Sequence, residues 1–152
     1  MARYIDDILQ PGEKIVFSGT IHWIIYLPGM VVMAAALFCL TRSGNTAAGP
    51  FWLIAAAMLA IIGMFGILRA WFRRWTTEID VTDRRVVYKR GFIRRHTVEM
   101  NMDKIESVDV DQSVLGRLFD FGDIVIRGTG VGIEPLHRIG APLEFRNHVT
   151  AR

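Results

Sequence analysis

The sequence predicts an α+β membrane protein: a two-helix transmembrane hairpin followed by a small antiparallel β domain that ends in a short helix. Three observations predict it. Charge is segregated, since of the 18 Lys+Arg and 15 Asp+Glu residues only Arg42 falls between Trp23 and Leu68. From Trp75 onward the apolar residues switch to a period of two, the mark of strands half buried against a core. Half of the residues are hydrophobic (51%) and the net charge is only +3, which excludes disorder. A single soluble globule is disfavoured by size, because too little chain lies outside the apolar block to cover it.

Residues 1–22 form the first segment. It carries Arg3, Asp6, Asp7, Glu13 and Lys14, a mixture unlike a cleaved signal, and either Lys14 to Gly19 adds one strand to the short downstream domain or a partner chain completes its core. Residues 23–72 are the expected hairpin, with helices at about 23–41 and 49–70 joined by a loop at 42–48. Each helix is long enough to cross about 30 Å of hydrocarbon at 1.5 Å per residue. The loop holds the turn-forming run Arg42-Ser43-Gly44-Asn45-Thr46, and Pro50 suits the first turn of the second helix. Trp23, Tyr26, Trp52, Trp71 and Trp75 sit where aromatic anchors belong at the two interfaces. Arg3, Lys14, Arg69, Arg73 and Arg74 flank the hairpin, against Arg42 alone in the loop, so both termini are expected in the cytoplasm of a multi-pass inner-membrane protein. Alanines at 34–36, 55–57 and 60, with Gly63 and Gly66, would let helices approach closely, within the hairpin or between protomers. The single cysteine, Cys39, permits neither an intrachain disulfide nor a cysteine metal cluster.

Residues 73–152 are the expected β domain. Thr77, Ile79 and Val81 alternate with Glu78, Asp80 and Thr82, predicting one face toward the core and one away from it. Asp83-Arg84 and Gly91 separate this strand from Arg85–Arg90 and then Phe92–Met102, a three-strand meander. In Ile105–Asp111 the apolar residues change face, so an irregularity is expected near Glu106-Ser107. A short helical turn at Ser113–Phe119, strands at Asp123–Arg127 and Ile133–Ile139 around a glycine-rich turn, and a helix starting at Pro142 complete the domain, with Leu143, Phe145 and Val149 available for packing.

The combination of Pro11-Gly12-Glu13, His22-Trp23, a membrane hairpin, Val81-Thr82-Asp83-Arg84-Arg85, Tyr88 with Gly91, Lys104-Ile105-Glu106-Ser107-Val108, Gly116-Arg117-Leu118, Phe121-Gly122-Asp123, Gly128-Thr129-Gly130 and Ala141-Pro142 resembles the bacterial pleckstrin-homology-like membrane proteins over about residues 11–150. The resemblance implies a PH-like fold, a bent antiparallel sheet forming a half-open barrel plugged by the C-terminal helix. It fixes the fold better than the activity, because a fold does not carry a function.

Little in the residues points to chemistry. His22, His96, His137 and His148 have no metal-ligand spacing, Asp109 and Asp111 lie on the solvated face of a strand, and Ser107 and Ser113 fit no nucleophile elbow. The Gly128–Gly132 run leads into a strand rather than a helix, which argues against a phosphate loop. No catalytic residue, metal, cofactor, small-molecule substrate or nucleic-acid partner is expected. The one distinctive charge feature is a run without acids, Arg84, Arg85, Lys89, Arg90, Arg94 and Arg95, a candidate contact for anionic lipid or a protein partner. The expected function is a non-enzymatic, self-associating interaction or assembly module at the membrane, with the bilayer and copies of itself or other membrane proteins as partners. The alternative is a regulator that reads anionic headgroups through the basic hairpin.

Overall fold

The computed structural model describes residues 5, 8–44, 48–91, 96–129 and 133–150, and the chain divides into two compact units, Trp23–Arg73 and Met1–His22 with Arg74–Arg152. The architecture is α+β: among the described residues, two long apolar helices, seven antiparallel strands in two sheets, and a short C-terminal helix.

In the apolar unit a single-turn 3₁₀ helix, Trp23–Tyr26, leads into α1 (Leu27–Ser43), and α2 covers Gly49–Trp75. The second helix thus runs on past its expected end near residue 70, since nothing between Arg69 and Trp75 breaks it. Arg42 and Ser43, expected in the loop, belong to the last turn of α1, where a cation suits the carbonyl end of the helix. The Arg42 guanidinium lies over the Phe38 ring at 5.2 Å. Asn45 and Thr46 lie outside the described residues. The buried positions of α1 are Gly29, Ala36 and Cys39, and those of α2 are Gly49, Ala56, Gly63 and Ala70. Small residues recurring every seven positions stay on nearly one face of a helix, which gives a narrow seam. The backbones meet along it: a Cβ on Gly29 would lie 3.2 Å from the Gly63 carbonyl oxygen, and one on Gly63 would lie 3.1 Å from the Met33 nitrogen. Of the small-residue motif, Ala36, Ala56 and Gly63 therefore pack within the hairpin, while Ala34, Ala35 and Ala57 are exposed.

In the β unit, β1 (Ile15–Gly19), β2 (Thr77–Thr82), β3 (Arg85–Arg90) and β4 (His96–Asn101) form one sheet in that order. The strand before the hairpin pairs with the first strand after it, Gly19 opposite Ile79. The second sheet is β5 (Ile105–Asp111), β6 (Phe121–Gly128) and β7 (Ile133–Gly140), with α3 (Val114–Phe119) between β5 and β6. The register of β5 slips between Ile105 and Ser107, where the change of face demanded it. A bridge between Ile21 and Ile139 joins the two sheets. The core is built from Ile79, Val81, Val86, Ile124, Ile126, Leu136 and Ile139. α4 (Pro142–Thr150) buries Phe145, whose ring meets Phe17 of β1 edge-on at 6.0 Å.

Two expectations need correction. Leu143 is 47% exposed, because the helix presents Pro142, Phe145 and Val149, spaced three and four residues apart, and Leu143 falls off that face. Asp80 and Thr82 are buried although they alternate with the core residues of β2. Their face is covered too: the N-terminal segment crosses it, with Ile5 fully buried and the Ile8 carbonyl and Glu13 carboxylate bonded to Arg85 of β3.

Candidate functional site

The basic run is divided by the strand pleat. Arg85, Val87 and Lys89 lie on one face of β3 and Val86, Tyr88 and Arg90 on the other. On the first face, acids distant in sequence meet both cations. Lys89 sits opposite Glu78 with its Nζ 3.5 Å from a carboxylate oxygen. Arg85 donates from Nε to Glu13 at 3.0 Å, from one terminal nitrogen to Glu13 and to the Ile8 carbonyl at 2.9 and 2.8 Å, and from the other to Glu99 at 2.8 Å. Arg84, at the β2–β3 turn, and Arg90, at the far end of β3, are exposed and form no ion pair among the described residues. Six residues of strand separate them by roughly 20 Å, too far to grip one headgroup together. Arg94 and Arg95 lie outside the described residues.

Glu13, quoted in the Pro11-Gly12-Glu13 motif without a role, is the partner of Arg85 that sequence reasoning did not foresee. Gln10-Pro11-Gly12-Glu13 makes a turn in which the Glu13 N–H donates to the Gln10 carbonyl at 2.9 Å and Gly12 takes φ +82°. Proline then glycine is the signature of a type II turn, so the turn was readable although its partner was not. The Glu13 carboxylate accepts from the Gln10 N–H at 2.9 Å and from the Thr82 hydroxyl at 2.7 Å. Burial by itself raises its pKa, but the bonds from Gln10, Thr82 and Arg85 outweigh burial and hold the carboxyl below its ordinary 4.5.

A cleft of about 340 Å³ opens beside this pair, lined by Gln10, Glu13, Arg84, Arg85, Asn101 and Asp103. Its two innermost charges already satisfy each other, and among the described residues no buried side-chain nitrogen or oxygen lacks a partner. The cleft offers structure rather than a reactive group. Histidines are dispersed: His22 stacks on Phe121, His148 on Phe17, and His137 bonds Asp123 at 2.7 Å. Among the described residues, no cluster of three His, Cys, Asp or Glu side chains could hold a metal ion.

The hairpin presents a different surface. The most apolar stretches of Trp23–Ser43 and Gly49–Trp75 have mean hydropathies of 2.2 and 2.5, and only 22% and 11% of those stretches is buried. A core helix of a soluble protein would be mostly enclosed; here Val31, Leu37, Phe51, Ile54, Ile61 and Phe65 all point outward. Both helices are long and apolar enough to cross a membrane. Of the expected interface anchors, Trp23, Trp71 and Trp75 are exposed and Tyr26 and Trp52 half-buried, with Phe51 edge-on to Trp52 at 5.8 Å.

The family model described as Bacterial PH domain matches residues 24–152. The chain belongs to the bacterial PH domain family. None of the curated proteins or solved structures matches it. The match takes in the hairpin and every strand but β1, which completes the first sheet of this bacterial PH domain from upstream. Membership suggests an interaction module, and PH-like domains are generally not catalysts.

Proposed function

We propose that this bacterial PH domain is a membrane-anchored, non-enzymatic interaction or assembly module. Its hairpin crosses the inner membrane twice, both termini and the β unit lie in the cytoplasm, and the module self-associates. The observation that carries this reading is the inside-out hairpin, with small residues along the seam and large apolar side chains outward. Water would oppose such a surface and hydrocarbon accept it. Tethering confines the β unit to a thin layer, which raises its effective concentration for weak contacts. Self-association draws support from the sheet edges: β4 and β5 each end a sheet without a further strand among the described residues, and such edges accept added strands.

Protease digestion of sealed vesicles tests the topology, and particle mass in detergent tests assembly. Cleavage of the Arg42 loop and the C-terminal helix from opposite sides is expected, with a particle larger than one chain. Purification as a soluble particle without detergent would refute anchoring, and a strict monomer would refute assembly. The second reading, recognition of anionic headgroups, draws on the exposed Arg84 and Arg90. It requires that charge reversal at both lower the affinity of the β unit for anionic vesicles in a salt-dependent way.

A further inference from the structure

Outside the hairpin, the most exposed large apolar side chains of the described residues gather on one short helix. In α3, Val114 is 82%, Leu115 60% and Leu118 74% exposed, while Gly116 is buried. At about 100° per residue, Val114, Leu115 and Leu118 share one face and Gly116 lies opposite. The buried side explains the outward aim. A Cβ on Gly116 would lie 2.6 Å from the Phe121 carbonyl oxygen, so the helix is pressed by its glycine against the start of β6. Its ends are pinned: the Ser113 hydroxyl accepts from the Gly116 N–H at 3.1 Å, and Asp120, at φ 55°, closes the last turn by donating its N–H to the Gly116 carbonyl. A rigid mount that displays three large apolar side chains is hard to explain by water alone.

Within the β unit this helix lies near the points where the chain leaves for the hairpin and returns. His22, the residue before the first span, stacks on Phe121 at 5.3 Å and donates its N–H to the Arg138 carbonyl at 2.7 Å. The charges of Arg74, where the chain returns from the second span, and of Asp120, the C-cap of α3, both act on the His22 ring. Residues 22, 74 and 120 therefore share one end of the β unit, the end from which the chain leaves for the hairpin and comes back. The only charge within α3 is a cation, Arg117, which suits a phosphate-rich surface.

We propose that α3 is an interfacial element that docks on the lipid surface, placing Val114, Leu115 and Leu118 at the boundary between headgroups and acyl chains. The inference rests on the membrane-anchored reading and adds a third point of contact, set in the bilayer surface rather than across it. Interfacial helices bury their apolar face about 5–10 Å into that boundary.

The test uses the full chain with Cys39→Ala, reconstituted in phosphatidylcholine–phosphatidylglycerol vesicles, with a polarity-sensitive fluorophore on Leu118→Cys, on Phe65→Cys in the hairpin, or on Asp103→Cys in the cleft. Lipids spin-labelled high on the acyl chain should remove about half the emission at position 118 and leave position 103 unchanged, with Leu115→Cys repeating the result. Quenching at 65 but not at 118 and 115 overturns the inference while leaving the hairpin in the bilayer. Quenching at neither overturns both readings. A blue-shifted, unquenched probe at 118 means that a protein surface covers α3, either a second copy or another partner, and also overturns it.

Discussion

Removing the charge of Glu13 while keeping its shape, by Glu13→Gln, should unfasten the N-terminal segment from the first sheet. Arg85 makes four hydrogen bonds, two of them to Glu13, whose side chain is wholly enclosed, and one to Glu99, whose side chain is 37% exposed. Breaking a buried pair from one side costs about 3–5 kcal/mol, because the other charge stays behind in the interior. Glu99 still partners the arginine, so the low end applies, about 3 kcal/mol, or roughly 12–24 °C in Tm for a domain of this size. The control is Glu99→Gln, an exposed partner worth at most about 1 kcal/mol. All four tryptophans lie in or beside the hairpin, so the readout should be amide hydrogen exchange in β1–β3 together with the β signal in circular dichroism, on the full chain in detergent. The pH dependence has a definite sign. The Glu13 carboxyl titrates below its ordinary 4.5 in the folded state, so its stabilisation is present above pH 4.5 and is lost as pH falls through the lower folded value. Glu13→Gln should flatten that acid limb. If Glu13→Gln is no worse than Glu99→Gln, or if the acid limb is unchanged, the buried-clasp argument is wrong.

Three further outcomes follow from the packing. Gly63→Leu should destabilise the hairpin by about 1–3 kcal/mol in detergent, since any Cβ there presses on backbone, whereas Gly66→Ala meets the Gly29 Cα at an ordinary 3.6 Å and should be tolerated; thermal unfolding followed by tryptophan emission distinguishes them. Phe145→Ala should cost about 3–5 kcal/mol by chemical denaturation and Leu143→Ala within about 0.5 kcal/mol, the difference between a core and a surface position on one helix. His22 is held below its ordinary 6.5 by burial and by Arg74, with Asp120 opposing, so stability from its neutral form is present above pH 6.5 and declines as pH falls below it; His22→Gln should remove that part of the pH profile measured by hydrogen exchange.

The hairpin and most strands were legible because charge segregation and period two are local signals, carried by each segment on its own. Two failures, the face of β2 and the basic run, share one cause, long-range contact. Asp80 and Thr82 read as a solvated face, and nothing within β2 reveals that Glu13 and the Ile8 carbonyl, far upstream, are bonded across it. The run from Arg84 to Arg95 contains no acid, and its neutralising partners, Glu13, Glu78 and Glu99, come from three other segments. The heptad Gly49, Ala56, Gly63, Ala70 was readable in principle. It was obscured by the alanine triplets, which draw attention to clusters where spacing carries the information.

The place of the hairpin in the β topology has a consequence for folding. β1 and β2 are neighbours in the sheet, yet Trp23–Arg73 separates them in sequence. A flexible loop of that length would raise the closure cost of the pair by about 3.5 kcal/mol, against about 2 kcal/mol for eight residues. An antiparallel hairpin sealed by a glycine seam removes most of that difference, because its two ends are already held together before the strands meet. Replacing Trp23–Arg73 by an eight-residue Gly/Ser linker should therefore give a folded, water-soluble β unit that retains β1, with protected amides at Phe17 and Ser18. A disordered Gly/Ser segment as long as the hairpin should be less stable by about 1.5 kcal/mol on the same scale. If the short linker yields an unfolded chain while the intact protein is ordered, then the hairpin supplies more than proximity, and the two units do not fold independently.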